Sequence, residues 1–313
     1  MEIKQLRYFK RVAEMGSVSK AAAALSVAQP AISRQIAHLE AELGTPLFYR
    51  NGRGVSMTEA GQALFARVST VLEELRRAEQ EVRDMIGVAT GSVTLGTPPT
   101  VAQVFVVPLI KRLRARHPHL SLEVAEAFSG YVNEWLTNGA LDVAVLYDAP
   151  RTRHLATEEL LSEKLFYIAS PEWADAGGGA GDTVRLADLT DVPMILPRRP
   201  HGLRLLIDRM AGTVGVDLDV VSEIDALSVI RELVTSGVGA TILPYVSVHR
   251  EVEAGTISAR LIVDPALSRT LVLATSSQRP LTVSTRAVIK ELKDVVRQLV
   301  DDGLWQGATS GRR

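Results

Sequence analysis

The chain has 313 residues, 46% apolar and 23% charged, with a formal net charge of −1 and no cysteine. That length predicts two or three domains with sizeable cores, and the missing cysteine excludes disulfides, thiolate metal sites, cysteine nucleophiles and thiol redox sensing by this chain. The charged start MEIKQLRYFKRV lacks a long apolar stretch, and nowhere do enough uncharged apolar residues run together to span a bilayer, so the expected location is cytoplasmic. Charge is uneven along the chain: residues 1–60 hold eight Lys/Arg and five Asp/Glu, a modestly basic head on an acidic body. That balance suits nucleic-acid binding by the head.

Leu6, Phe9, Val12 and Ala13 fall on one helical face, with Gly16 as its stop and Ser17 as the next N-cap. An alanine-rich helix follows over about Val18 to Leu25, where small side chains permit close helix approach. After a short turn comes VAQPAISRQIAHLE (Val27–Glu40). Pro30 sits in its first turn, where a missing N–H costs nothing. Ile32, Ile36, Leu39 and Leu43 can face the core, which turns Gln29, Ser33, Arg34 and His38 outward. Gln and Arg near a helix start are suited to bidentate hydrogen bonds with base edges, and two helices joined by a tight turn make a helix-turn-helix. The plainer alternative is a surface helix with ordinary polar residues. TPLFYRNGRGVSMTEAG (Thr45–Gly61) then predicts two short strands about a Gly-containing turn, a wing carrying Arg50 and Arg53.

The stretch AAAALSVAQPAISRQIAHLEAELGTPLFYRNGRGVSMTEAG resembles the winged helix-turn-helix of LysR-type transcriptional regulators. Ala22, Ala23, Leu25, Gln29, Pro30, Ser33, Ile36, Leu39, Glu40, Leu43, Gly44, Leu47, Phe48, Arg50, Arg53, Thr58 and Gly61 carry the resemblance. One departure is Ala28, where the family often has Ser or Thr, a loss of an N-cap hydroxyl worth about 1 kcal/mol. The resemblance implies that Gln29, Pro30, Ser33 and Arg34 approach bases and phosphates in a major groove and that Arg50 and Arg53 act at the wing. Pro30 has the simpler alternative of only starting the helix. Arg50 has that of pairing with Glu40 or Glu42.

From Glu59 to about Ile86, Leu64, Val68, Val71, Leu75, Ala78, Val82 and Met85 follow a heptad pattern between charged flanks. That narrow stripe predicts a dimer seam, with packing on its own domain as the alternative. A dimer would set two heads on a twofold axis to read a dyad-symmetric site in double-stranded DNA. In the family this is the linker helix, which supplies dimer contacts.

GVATGS (Gly87–Ser92) predicts a hinge, and beyond it strands and helices alternate: an α/β body with mainly parallel strands. The resemblance extends here, to an effector region of two subdomains like those of periplasmic binding proteins, with a small-molecule ligand in the cleft. The chain would cross between them near Lys164–Ala169 and return near Arg269–Ala274. The expected organisation is 1–58 winged helix-turn-helix, 59–87 linker helix, 91–163 with 270–303 subdomain I, and 164–269 subdomain II.

Ligands in open α/β sheets meet strand C-termini and the starts of the following helices. GTPPTVAQ offers Thr97 and Thr100, FSG offers Ser129, LPRRPHGLR offers Arg199, His201 and Gly202, and GVGATILP offers Thr241. Helix N-termini with an arginine suit an anion such as a carboxylate; the alternative places several of these residues at the surface or between subunits. No cofactor, metal site or catalytic residue is expected: the usual nucleophile-elbow, phosphate-loop, dinucleotide and zinc motifs are missing, and RHPH (Arg116–His119) reads as a turn. Enzyme and solute-transport readings are therefore the weaker rivals. The resemblance also implies a homotetramer built as a dimer of dimers and contact with RNA polymerase; the mechanism expected is allosteric, with a ligand that closes the cleft shifting how dimers pair. Without cysteine, the thiol-based peroxide-sensing branch of the family is excluded.

Overall fold

The computed structural model describes residues 1–51, 54–84, 89–149, 152–176, 178 and 181–311. Two compact units divide the chain, Met1–Ile86 with Asn138–Ala140, and Gly87–Thr137 with Leu141–Arg313.

In the first unit, α1 (Ile3–Met15) opens on a capping box between Glu2 and Gln5 and buries Leu6, Phe9 and Val12. Gly16 ends it in the left-handed region at φ 59°, where a side chain would be strained. The Ser17 hydroxyl accepts the Lys20 N–H and starts α2 (Val18–Ala24), whose buried Ala21 and Ala22 let its neighbours approach. In α3 (Gln29–Leu43), Pro30 occupies the first turn and Ile32, Ile36 and Leu39 are buried, whereas Leu43 is exposed. Leu43 is the last residue of α3 and sits beyond the reach of the core that Phe9, Val12 and Ile32 fill.

Strands β1 (Phe48–Asn51) and β2 (Gly54–Met57) pair antiparallel, Phe48 opposite Met57. The Glu40 carboxylate of α3 accepts the backbone N–H groups of Leu47 and Phe48 at 2.8 and 3.3 Å, fixing where the wing leaves the helix. Thr58 then caps α4 (Glu59–Asp84), its hydroxyl accepting the Gly61 N–H at 3.0 Å. Gly61 is required by closeness: a Cβ there would lie 2.2 Å from the Leu47 carbonyl oxygen.

The second unit begins with β3 (Gly91–Thr97), α5 (Pro99–Arg116), β4 (Leu120–Glu126), α6 (Ser129–Asn138) and β5 (Val143–Tyr147). β3 lies between β4 and β5, and all three run parallel. β6 (Leu155–Ala169) is then a single strand of 15 residues serving two halves. Its residues 155–164 pair with β12 (Ser268–Ser276), and residues 165–169 pair with β10 (Thr241–Pro244) and β11 (Ser258–Val263). Between β6 and β12 the second half runs through β7 (Thr183–Arg185), β8 (Met194–Leu196), α7 (Gly202–Thr213), β9 (Val220–Glu223), α8 (Leu227–Thr235), β10, α9 (His249–Glu253) and β11. The chain finishes with α10 (Val283–Asp301) and a short β13 (Ala308–Ser310) on β6.

The sheets are mixed rather than mainly parallel. Parallel pairing holds for β3 with β4 and β5, β8 with β9, and β7 with β11. Every pairing of β6 is antiparallel, and so is β12 with β5. The two strands that cross between halves run in opposite directions, which imposes antiparallel pairing around them. The return crossing lies between Val263 and Ser268, just ahead of the Arg269–Ala274 segment expected for it, because Ser268 already pairs with Lys164. Each half has its own core, one around Val93, Phe105 and Leu292, the other around Tyr167, Ile195 and Ile242. Each such fully buried side chain contributes roughly 1.5–3 kcal/mol.

Candidate functional sites

At the start of α3, Gln29, Pro30 and Arg34 are exposed and Ser33 is half-buried. Ala28 occupies the N-cap without a side-chain hydrogen bond, Pro30 has no N–H, and the Ala31 N–H donates to the Ala28 carbonyl at 2.9 Å. That end of the helix carries partial positive charge. His38 is also exposed, but its Nδ1 lies 2.8 Å from Nε2 of the buried Gln5, which ties the ring to α1. Arg50 stands on β1 opposite Val55, with its side chain outside the described set, and Arg53 lies outside the described residues. The two carboxylates expected as alternative partners for Arg50 have other roles: Glu40 holds the wing amides and Glu42 pairs with the Met1 amino group.

On α4 the heptad positions have different surroundings. Val68, 2% exposed, belongs to the head's own core, and Leu64 packs against that core. These two are therefore not open seam residues; the head core reaches along the first turns of α4 and covers them. Val71 and Val82 are 54% and 66% exposed, Ala78 is exposed and Leu75 half-buried. Met85 lies outside the described residues.

A cavity of about 630 Å³ opens in the second unit, a size ordinary for small-molecule sites. The starts of α5, α6, α7 and α8 all reach it, through Thr100, Ser129, Gly202 and Leu227. Of the sequence-selected residues, Thr100, Ser129, Arg199, His201 and Gly202 line it; Thr97 and Thr241 do not. Thr97 ends β3 with its side chain fully buried, and Thr241 begins β10 with a buried hydroxyl that has no partner among the described residues. In both, strand alternation turns the side chain into the packing rather than the cavity.

The polar lining is largely donors. The Ser129 hydroxyl accepts the Tyr147 N–H at 3.1 Å and keeps its own proton to donate. His201 caps α7, its Nδ1 accepting the Leu203 N–H at 3.1 Å. Burial, then the charge of Arg269, push the His201 pKa down to about 4, opposed by Asp225. The ring is thus neutral near pH 7 with its proton on Nε2. It meets the Phe128 ring edge-on at 4.6 Å. Arg198 and Arg199 are matched by Asp225 at 3.2 Å and Asp208 at 2.7 Å.

Deeper in the wall, Arg269 on β12 is 4% exposed. Its Nε donates to Glu163 Oε1 at 2.8 Å, and its guanidinium carbon lies 3.4 Å from the Tyr147 ring centre. Tyr147 donates its hydroxyl to Glu163 Oε1 at 2.7 Å, and the Trp305 indole N–H donates to Oε2 at 2.8 Å. Burial of the phenol and the adjacent carboxylate raise the Tyr147 pKa well above its ordinary value, so it remains a donor. Nη2 of Arg269 is buried and has no hydrogen-bond partner among the described residues.

Residues 3–62 match the bacterial regulatory helix-turn-helix proteins of the lysR family, and residues 87–297 match the LysR substrate binding domain. The chain belongs to the LysR family. This LysR-type DNA-binding transcriptional regulator is 31% identical over 302 residues to the HTH-type transcriptional regulator BbuR of Bordetella bronchiseptica, covering 96% of this chain and 92% of BbuR. It is 28% identical to the nitrogen assimilation regulatory protein nac of Escherichia coli, covering 98% and 99% of the two chains. Its fold is similar to full-length CbnR solved with its target DNA, with a TM-score of 0.70, 23% identity, and 95% and 99% of the chains covered. A full-length OxyR variant from Pseudomonas aeruginosa gives a TM-score of 0.68 at 23% identity, covering 100% and 99%.

Tyr147, Glu163, Arg269 and Trp305 of this LysR regulator were not selected from sequence. They come from four distant segments, so no spacing connects them. The available signal was a charge close to an apolar run in each of two strands, Glu163 with Lys164 ahead of LFYIA and Arg269 with Thr270 ahead of LVLA. A charge there must find a partner when the strand is buried.

Proposed function

We propose that this regulator reads a dyad-symmetric site through Gln29, Pro30, Ser33 and Arg34, with Arg50 and Arg53 of the wing on the backbone or minor groove. A small anionic effector in the body's cavity sets its activity. The observation that carries the effector reading is the meeting of four helix N-termini at one cavity that the buried Arg269 also lines. N–H groups and positive potential favour an anion there. Thr100, Ser129, His201 and Gly202 supply its polar contacts. Val71, Leu75, Ala78 and Val82 supply the dimer seam, and pairs of dimers form the working tetramer. The chain acts in the cytoplasm, touches RNA polymerase at its promoters and performs no catalysis; among the described residues no helix is long and apolar enough to cross a membrane.

The effector acts only through unequal affinity for two arrangements of the assembly. Closure of the two body halves on the ligand changes how dimers pair and hence the spacing and bend of bound DNA. Selection of genomic fragments by the purified protein, footprinted at several salt concentrations, tests the DNA reading. A protected dyad weakening steeply with salt is expected. Sequence-independent protection at every salt concentration refutes it. Metabolites of neighbouring genes, added to the footprint, test the effector reading, with a changed protection pattern as the expected result.

A further inference from the structure

We propose that the effector is a monoanion, a single carboxylate on an apolar, ring-sized body, whose charge is met by Arg269 positioned from behind by Glu163 and the C-terminal Trp305. The inference rests on the anionic-effector reading above and narrows it.

Among the described residues, Arg269 is the one cavity-lining arginine that is both buried and only partly used. Its Nε is committed to Glu163, while Nη2 is left without a partner among the described residues. A guanidinium normally spends its donors when buried. Glu163 does not depend on Arg269 alone, because Tyr147 and Trp305, both neutral donors, take the rest of its hydrogen-bonding capacity. Arg269 lines the cavity, but Nη2 itself is shut off from solvent, so contact with a ligand carboxylate falls to the rest of the guanidinium, whose plane is held against the Tyr147 ring.

Two observations favour a single charge. The arginines nearer the mouth are already matched, Arg198 by Asp225 and Arg199 by Asp208, and Arg209 is exposed, where water and salt screen it. Glu134 and Asp148 also line the cavity, so a second negative charge on the ligand would face carboxylates. The remaining wall is apolar and aromatic, with Phe128, Tyr131, Pro99, Leu203, Leu206 and Leu227. It suits a ring or short hydrocarbon.

Trp305 gives the C-terminal segment a part in this site. β13 pairs with β6 at Leu161–Glu163, and the Gly307 carbonyl accepts the Lys164 N–H at 3.0 Å, which pins the indole behind the Glu163 carboxylate. Trp305 does not line the cavity, so its role is positioning.

The test uses the full chain and three matched probes: phenylacetate, its neutral isostere phenylacetamide, and the dianion phenylmalonate. Binding is read by calorimetry and by the ¹⁵N indole resonance of Trp305. Phenylacetate is expected to bind and to move that resonance, with the other two weaker by about tenfold or more. Arg269→Gln should remove phenylacetate binding. Trp305→Phe keeps the ring and the arginine but loses the indole donor. It should weaken phenylacetate about threefold or more with operator binding retained. Phenylacetate binding that Trp305→Phe leaves unchanged overturns the positioning role, and no phenylacetate binding up to about 10 mM overturns the ligand class. Tighter binding of phenylmalonate overturns the monoanion alone and leaves the anionic-effector reading standing. Equal binding of phenylacetamide brings both down.

Discussion

Glu163→Gln is the most informative single change in the body. The carboxylate, 1% exposed, accepts from Arg269, Tyr147 and Trp305. The amide removes the negative charge that neutralises a guanidinium 4% exposed. It also replaces one acceptor by an NH₂ group, so Gln must set a donor against either the Trp305 indole or the pair of donors on Oε1. Breaking one partner of a buried ion pair costs about 3–5 kcal/mol. A donor left unsatisfied adds about 1–3 kcal/mol, and overlap between the two terms keeps the expected total at about 3–5 kcal/mol. Urea unfolding followed by tryptophan fluorescence measures it for the body alone, because Trp135, Trp173 and Trp305 all lie there. The double variant with Arg269→Met should recover much of the loss, since it removes the stranded cation and replaces it with an apolar side chain. A Glu163→Gln midpoint within about 0.5 kcal/mol of the parent, the range of ordinary surface changes, refutes the reasoning.

Arg34→Ala should weaken binding at a mapped operator by about 1–3 kcal/mol if the guanidinium reads a base; unchanged affinity in a gel-shift titration removes it from the reading face. Gly61→Ala should destabilise the head by about 1–3 kcal/mol, because the new Cβ meets the Leu47 carbonyl, and head-specific amide exchange reports it. His201 has a folded pKa near 4 against an ordinary 6.5. The unfolded chain therefore binds the proton more tightly, and the stability from neutral His201 is full above pH 6.5 and is lost as pH falls toward 4. His201→Asn keeps an N-cap acceptor and should flatten that part of the stability–pH curve; identical curves for the two proteins would contradict the assignment.

Legibility in the sequence followed the range of the determining contacts. The head was readable because its signals are local: the Gly16 stop, the Ser17 cap, Pro30 in a first turn, and a turn between two short strands. Helix starts at the cavity were readable for the same reason, and Thr100, Ser129, His201 and Gly202 follow from them. Side-chain direction was not: Thr97 sits at the right strand end but faces the packing, and Thr241 begins β10 rather than ending it and is buried too. β6 escaped because its residues 156–159 are exposed, three of them polar, before the buried run begins, so no single period covers its 15 residues. The Glu163 network depends on strand pairing between remote segments, which one sequence does not encode as spacing.

The linker helix shows how one stripe can conceal two faces. At about 100° per residue, Leu72 lies about 80° round α4 from Leu64, and Ala78 about 40° round in the other direction. Leu64, Val68 and Leu72 turn toward the head and pack on its core. Val71 and Ala78 lie on the other side of Leu64 and are exposed, while Val82 returns under Leu64 about 27 Å further along the helix, beyond the head core, and is exposed there. A heptad count joins these adjoining faces into one seam, because 3.6 residues per turn and a repeat of seven differ by only about 20° per heptad. The two faces should therefore respond differently to the same substitution. Val68→Asp buries a carboxylate in the head core and should unfold the head whatever the assembly state. Val82→Asp places a charge on an exposed position and should leave the head's melting intact while weakening self-association in sedimentation runs. Equal self-association of Val82→Asp and the parent would mean that the open stripe is solvent-facing, and that two heads come together through the body instead.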